Sequence, residues 1–259
     1  MAALSCSAGA KPKMFPPHSP NFGIVAGMIR AWPLPSRPGT IARLRLAAPV
    51  VLAALASACS IPSVGGGERQ AAQAAINPQV RQCLGTLGAT GAQFTPLPDR
   101  YLSEGCSNLG TVQLHAISGE GATLGVNNIG PVTCPVSAAF AAWARFGVDR
   151  AARTILGSPL VSIQTMGSYS CRNVAGSSSR SGHASAAAID IGGFLLADGR
   201  RITVAGDWNQ GSREEREFLR AVQASACRRF ATVLGPEYNA AHHDHLHLEG
   251  VIEGNSFCR

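Results

Sequence analysis

The chain has 259 residues, 46% of them hydrophobic, and a formal net charge of +7, which is room for one domain of ordinary size plus extensions. Six of the 22 basic residues (Lys11, Lys13, Arg30, Arg37, Arg43 and Arg45) precede Cys59, where no acidic residue occurs, leaving 16 arginines against 15 carboxylates beyond it. The basic excess therefore belongs to the N-terminal segment, and the rest of the chain lacks the basic footprint of a nucleic-acid binder.

That N-terminal segment is shaped like an export signal. Arg43 and Arg45 precede an apolar run from Leu46 to Ala56, and the small residues Ser57 and Ala58 precede Cys59. A charged region, a short apolar region and a small-residue cleavage site make a secretory signal, and the run is too short for a permanent membrane span. L-A-S-A-C also resembles a bacterial lipoprotein signal, with Cys59 as the lipidated residue; simple export with cleavage nearby is the other reading. Residues 1–27 are Pro-rich, and Met28 makes the more conventional start. The expected division is a leader over 1–59, a Gly- and Ala-rich tether over 60–78, and one domain over 79–259.

Beyond Cys59 six cysteines remain: Cys83, Cys106, Cys134, Cys171, Cys227 and Cys258. An even number in an exported chain reads as three disulfides. None forms a C-x-x-C pair, which argues against a cysteine metal site or a redox motif. A local Cys83–Cys106 bridge is the simplest pairing, with the others open.

Gln79–Leu87 reads as a short helix and Phe94–Arg100 as a turn-rich connection. Thr111–Ile117 alternates and reads as a strand containing His115, taken as structural. The first long helix is expected over Pro131–Leu156, opened by Cys134-Pro135, with Trp143 in the core. Leu160–Met166 is a strand, followed by G-S-Y-S-C-R (167–172) and a serine-rich loop. Ala187–Phe194 is apolar except for Asp190. An unpaired buried carboxylate is costly, so Asp190 should have a cationic partner or ion. Phe194–Val204 reads as a hairpin turning at Asp198-Gly199, and Asp207-Trp208 as the start of a loop. Ser212 and Glu215 form a capping box for a second long helix, which Gly235-Pro236 would end. Asp244–Ile252 alternates as a last strand carrying His245 and His247 on one face. Strands mixed with two long helices predict an α+β fold, a mixed or antiparallel sheet with helices packed on one side.

Five of the seven histidines fall in two segments, S-G-H-A-S-A-A-A-I-D (181–190) and H-H-D-H-L-H (242–247). A catalytic zinc takes three protein ligands and keeps one position open. His183, Asp190 and His247 can supply the three, with the open position for water. His245 is placed to take a proton or to stabilise an oxyanion. His242 and His243 read as surface histidines.

The first segment resembles the S-x-H-x-x-G-x-A-x-D signature of LAS-type zinc peptidases, which include D-alanyl-D-alanine carboxypeptidases and murein endopeptidases and share their fold with the hedgehog domain. H-x-D-H-x-H is similar to their closing motif, and G-S-Y-S-C-R resembles the loop that ends in a substrate-binding arginine. More closely, the run from about Cys83 to Cys258 resembles the bacterial extensin-like C-terminal domain, through S-G-H-A, A-x-D-I-G-G-F, D-G-R-x-I-x-V, A-C-R-R-F, T-V-L-G-P and H-x-D-H-L-H. One departure is Ala186, where the signature has glycine. The resemblance implies a hedgehog/D-Ala-D-Ala-peptidase-like fold, with His183, Asp190 and His247 as ligands of Zn2+, His245 as catalytic partner and Arg172 as a clamp on a substrate carboxylate. It implies an exported peptidase acting on peptidoglycan stem peptides or cross-links, in the periplasm or as an outer-membrane lipoprotein. Membrane contact would come only through a lipid anchor. The alternative from another class is a non-catalytic, zinc-containing envelope protein that binds peptidoglycan or a partner.

Overall fold

The computed structural model describes residues 77–259. The segment expected to be an export signal, Cys59 and most of the expected tether lie outside the described residues.

Asn77 caps the first helix, α1 (Pro78–Ala89), by accepting a hydrogen bond from the Gln79 amide at 2.9 Å. The strands are β1 (Gln93–Pro96), β2 (Arg100–Ser103), β3 (Cys106–Asn108), β4 (Thr111–Ser118), β5 (Thr123–Asn127) and β6 (Val132–Thr133). Then come α2 (Cys134–Trp143), a π-helical segment (Ala144–Asp149) and α3 (Arg150–Ile155), which replace the single helix expected over 131–156. β7 (Leu160–Gly167) and β8 (Ala188–Leu196) follow. β9 (Arg201–Thr203), α4 (Val204–Gln210), α5 (Arg213–Ala226), β10 (Thr232–Leu234), β11 (Leu246–Glu249) and β12 (Phe257–Cys258) complete the chain.

Ten strands form one sheet in the order β1-β4-β5-β7-β8-β11-β10-β12, with β6 beside β4 and β9 beside β8. β5–β7 and β10–β12 run parallel and the other pairs antiparallel, so the sheet is mixed and the fold is α+β. β2 and β3 form a separate hairpin.

The centre of the sheet is built by alternation. Ile189 and Ile191 on β8 stand opposite Leu248 and Leu246 on β11. All four are fully buried in one apolar cluster with Phe140 and Trp143 of α2 and Phe218, Leu219 and Val222 of α5. Because side chains alternate along a strand, the residues between them point to the other face. Asp190 stands directly opposite His247, and Ala188 opposite Glu249. A one-residue slip of β11 would drive His247 into the core and Leu246 out of it. Trp143 is a core residue, as expected; its ring N–H donates to the Val222 carbonyl at 2.9 Å. Buried Asp149 accepts from the amides of Leu160 (3.0 Å) and Glu120 (2.8 Å) and from Arg153, tying the π-helical segment to its neighbours.

The capping box is present: Ser212 accepts from the Glu215 amide, and Glu215 accepts from the Ser212 amide at 2.7 Å. The 194–204 hairpin also forms, as β8 and β9. Other expectations are corrected. Residues 94–100 include an edge strand rather than only turns, because β1 finds its partner in β4. Asp207-Trp208 lies within α4, where Thr203 caps the Gly206 amide and Asp207 accepts from the Thr203 amide. The second long helix stops at Ala226, well before Gly235-Pro236, because Thr232–Leu234 pairs with β11.

Six cysteines form three disulfides: Cys83–Cys134, Cys106–Cys171 and Cys227–Cys258. The local Cys83–Cys106 pairing is wrong. α1 lies against α2, which brings Cys83 to Cys134, while Cys106 on β3 faces the loop after β7. Sequence nearness is a weak guide here, since doubling a loop adds only about 0.6 kcal/mol of closure entropy. Three disulfides suggest an oxidising, exported environment. No helix among the described residues is long and apolar enough to cross a membrane.

Candidate metal centre

The two histidine-bearing segments meet at the β8–β11 pair. His183 sits in a 3-10 turn (Gly182–Ser185) that leads into β8, opened by Ser181 as its N-cap. Asp190 is on β8 and His247 opposite it on β11. His183 Nε2 lies 3.1 Å from Asp190 Oδ2 and 3.2 Å from His247 Nδ1, and His247 Nδ1 lies 2.9 Å from Asp190 Oδ1. His183 is 2% exposed and His247 6%.

These three side chains offer a metal-ligating set. Ligands at about 2.0–2.1 Å on the face of a tetrahedron are about 3.3 Å apart, so the observed spacing needs only slight opening to accept an ion. The ring orientations are fixed from behind. His183 Nδ1–H donates to the Ser168 carbonyl at 3.1 Å, which leaves its Nε2 as the lone-pair donor. His247 Nε2–H donates to Glu249 Oε2 at 2.9 Å, which leaves Nδ1 facing the centre. Carbonyl or carboxylate partners on the far ring nitrogen are the usual support of metal-bound histidine.

Before an ion binds, hydrogen bonds from the rings to Asp190 occupy the centre, and an ion has to displace their protons. Burial pushes the Asp190 carboxyl upward, but hydrogen bonds from His183 and His247 outweigh it and hold Asp190 well below the usual carboxylate range. Burial pushes His247 down, yet Asp190 and Glu249 raise it to about 9. Glu249 is lowered chiefly by its hydrogen bond with His247.

His245 comes one residue before β11. Its Nδ1–H donates to Asp244 Oδ1 at 2.8 Å, and its Nε2 faces the centre, 3.6 Å from Asp190 Oδ1. His242 and His243, read together as surface histidines, part company. His243 is exposed, whereas the His242 ring lies 5.1 Å from that of His245 and 5.8 Å from that of His247. Burial, with the nearby charge of His245 and His247, lowers His242 to about 4, so it is neutral at pH 7. His115 is exposed and hydrogen-bonded to Thr95, away from this cluster.

A cavity of about 300 Å3 opens over the centre, lined by Arg172, Tyr238, His242, His245, His247 and Glu249 among others. Arg172 is exposed, makes no ion pair among the described residues, and follows Cys171, which the bridge to Cys106 anchors. Arg180 holds the other end of this loop, donating to Asn173 Oδ1 (3.0 Å) and the Glu104 carbonyl (2.6 Å). Ala186 adopts a left-handed conformation (φ 55°, ψ 26°) between the 3-10 turn and β8, which accounts for glycine at this point of the signature it resembles.

The sequence reading missed Ser168, Asp244 and Glu249. Ser168 acts through its backbone carbonyl and leaves no side-chain signal. Asp244 and Glu249 were legible: one adjoins His245, and the other lies two residues beyond His247 on a strand, hence on its face.

An α+β domain with a mixed sheet, three disulfides and a His/Asp/His cluster under an open cleft is the class these features define. Residues 81–259 match the family described as extensin-like protein C-terminus, and the chain belongs to that family. Among curated proteins and solved structures, none matches the chain.

Proposed function

We propose that this protein is an exported zinc-dependent peptidase acting on peptidoglycan stem peptides or their cross-links. The observation that carries the reading is the convergence of His183, Asp190 and His247 beneath a cleft that also presents His245 and Arg172. Two imidazoles and one carboxylate suit zinc with an open position, and the S-G-H-A-S-A-A-A-I-D and H-x-D-H-L-H motifs resemble those of LAS-type zinc peptidases, whose hedgehog-like fold we infer here. A divalent ion in that site supplies Lewis acidity, polarising a scissile carbonyl and making a water more acidic.

The chain's own residues supply the rest. Asp244 holds His245 with its Nε2 toward the centre, where it accepts a proton from the attacking water and returns it to the leaving amine. Arg172 presents a guanidinium with no ion-pair partner among the described residues and forks onto a substrate carboxylate. Neutral His242 adds a hydrogen-bonding group to the same wall without a second positive charge. An export signal of the kind residues 43–59 resemble would bring the enzyme to the periplasm or, through Cys59, to the outer membrane, beside that substrate.

The test is mass spectrometry of muropeptides incubated with the disulfide-intact protein, with and without a chelator. A chelator-sensitive product of defined mass supports the reading and names the bond. No product from monomers or cross-linked dimers, in a sample that holds zinc, refutes it.

A second reading has one observation in its favour. His245 Nε2 is close enough to Asp190 (3.6 Å) to become a fourth ligand, closing the site as in structural zinc centres. The protein would then be a non-catalytic envelope component that binds peptidoglycan or a partner. His245→Ala separates the two: loss of zinc favours the closed site, whereas retained zinc with lost cleavage favours the enzyme.

A further inference from the structure

Glu249 is outside the three-residue ligating set, although it lines the same cavity and is tied directly to the centre. It accepts the His247 Nε2–H at 2.9 Å. Its strand partner is Ala188, and the next amide, Gly250, donates to the Ala187 carbonyl at 2.9 Å, so its backbone is fixed to β8 on the side of the 3-10 turn. Its carboxylate then lies over Gly182, the residue before His183. A methyl group on Gly182 would come within 2.6 and 2.7 Å of the two Glu249 oxygens. Gly182 does not have a left-handed backbone; what its lack of a side chain provides is the seat for this carboxylate.

We propose that Glu249, seated on Gly182, is the positioning residue that locks His247 with Nδ1 toward the metal, and that the Gly182-His183 pair is one device: the histidine ligates while the glycine admits the carboxylate that orients the opposite ligand. The inference rests on the metal-centre reading and deepens it. Its chemistry is general. A ring that donates from Nε2 to a carboxylate keeps its Nδ1 lone pair for the ion and becomes a more basic ligand, and removal of such a partner costs about 10–100-fold in metal affinity. Charge adds to it, because Asp190 and Glu249 together balance a divalent ion, whereas Asp190 alone leaves one positive charge in a largely buried site.

Two substitutions remove the same contact in different ways. Glu249→Ala deletes the carboxylate. Gly182→Ala keeps it but pushes it off its seat, at little cost to folding because the displaced group is the free end of a side chain. Zinc affinity is measured by competition with a chromophoric chelator, and the His247 Nε2–H by proton–nitrogen NMR of the metal-free protein, with thermal unfolding confirming that each variant is folded. Each single variant is expected to lose about 10–100-fold in zinc affinity and to lose the protected Nε2–H resonance. The double variant loses no more than either alone, since both act through one contact. Glu249→Gln, which keeps an acceptor oxygen, restores the resonance and part of the affinity. Wild-type affinity and an intact resonance in folded Glu249→Ala overturn the inference, as do additive losses in the double variant. A wild-type protein that takes up no zinc refutes the metal centre instead, and in that case the resonance alone decides whether Glu249 holds His247.

Discussion

Without a bound ion, the His247 imidazole is held between two carboxylates, and the protein's stability should report this as a function of pH. Burial lowers the proton affinity of His247, but Asp190 and Glu249 outweigh it and raise its pKa from 6.5 to about 9. At about 1.36 kcal/mol per pKa unit, the difference is about 3 kcal/mol. The folded chain binds this proton more tightly than the unfolded one. The stabilisation is therefore fully present below pH 6.5 and is lost as pH rises through about 9. Lysine and cysteine drop out of the window, since the chain has no lysine after Lys13 and the domain's six cysteines are in disulfides, while His242, lowered to about 4, opposes the change by less than about 1 kcal/mol at about pH 6. Urea unfolding of the chelator-treated protein should give a stability lower by about 3 kcal/mol at about pH 9.5 than at about pH 6, and His247→Gln should abolish most of that difference. Equal stability of the wild type at both pH values, or the same loss in His247→Gln, would refute the reasoning. With zinc present the dependence should reverse, because protons then compete with the ion for the same imidazoles.

The remaining predictions concern the ligands, the strained turn and the disulfides. His183→Ala should abolish stoichiometric zinc binding; zinc at about 1,000 times its Kd should stabilise the wild type by about 4 kcal/mol in a thermal-shift assay and the variant by none. His245→Ala should keep the zinc and lower cleavage of muropeptides by about 10²–10⁴-fold, the usual worth of a positioned acid–base group. Ala186→Gly relieves about 1–2 kcal/mol of left-handed strain. It also gives up about 0.8 kcal/mol of buried methyl and about 0.4–1 kcal/mol through the freer unfolded chain. Its denaturation midpoint should therefore shift little in either direction, whereas β-branched Ala186→Val should be clearly destabilised. Replacing Cys83 and Cys134 together by serine should cost about 2–5 kcal/mol in urea unfolding.

What the sequence determined by itself was the chemistry that is local or periodic. The Ser212–Glu215 capping box, the hairpin around Asp198-Gly199, the even cysteine count and the choice of His183, Asp190 and His247 as candidate ligands all rest on residues a few positions apart, or on a motif that travels as a unit. The α+β class followed from the same short-range patterns. Long-range pairing was decided only in three dimensions. The partner of Cys83 depends on α1 lying against α2, and the strand at Thr232–Leu234 exists because β11 lies beside it. The union of the two histidine segments depends on the β8–β11 register, which the burial of Ile189, Ile191, Leu246 and Leu248 fixes to the residue. That register sets Asp190 opposite His247, and the next pair along the strands, Ala188 with Glu249, brings a carboxylate over Gly182. The spacing of the histidines along the chain could not reveal it, because side chains far apart in sequence meet only where the apolar face of the sheet leaves one alignment that buries it.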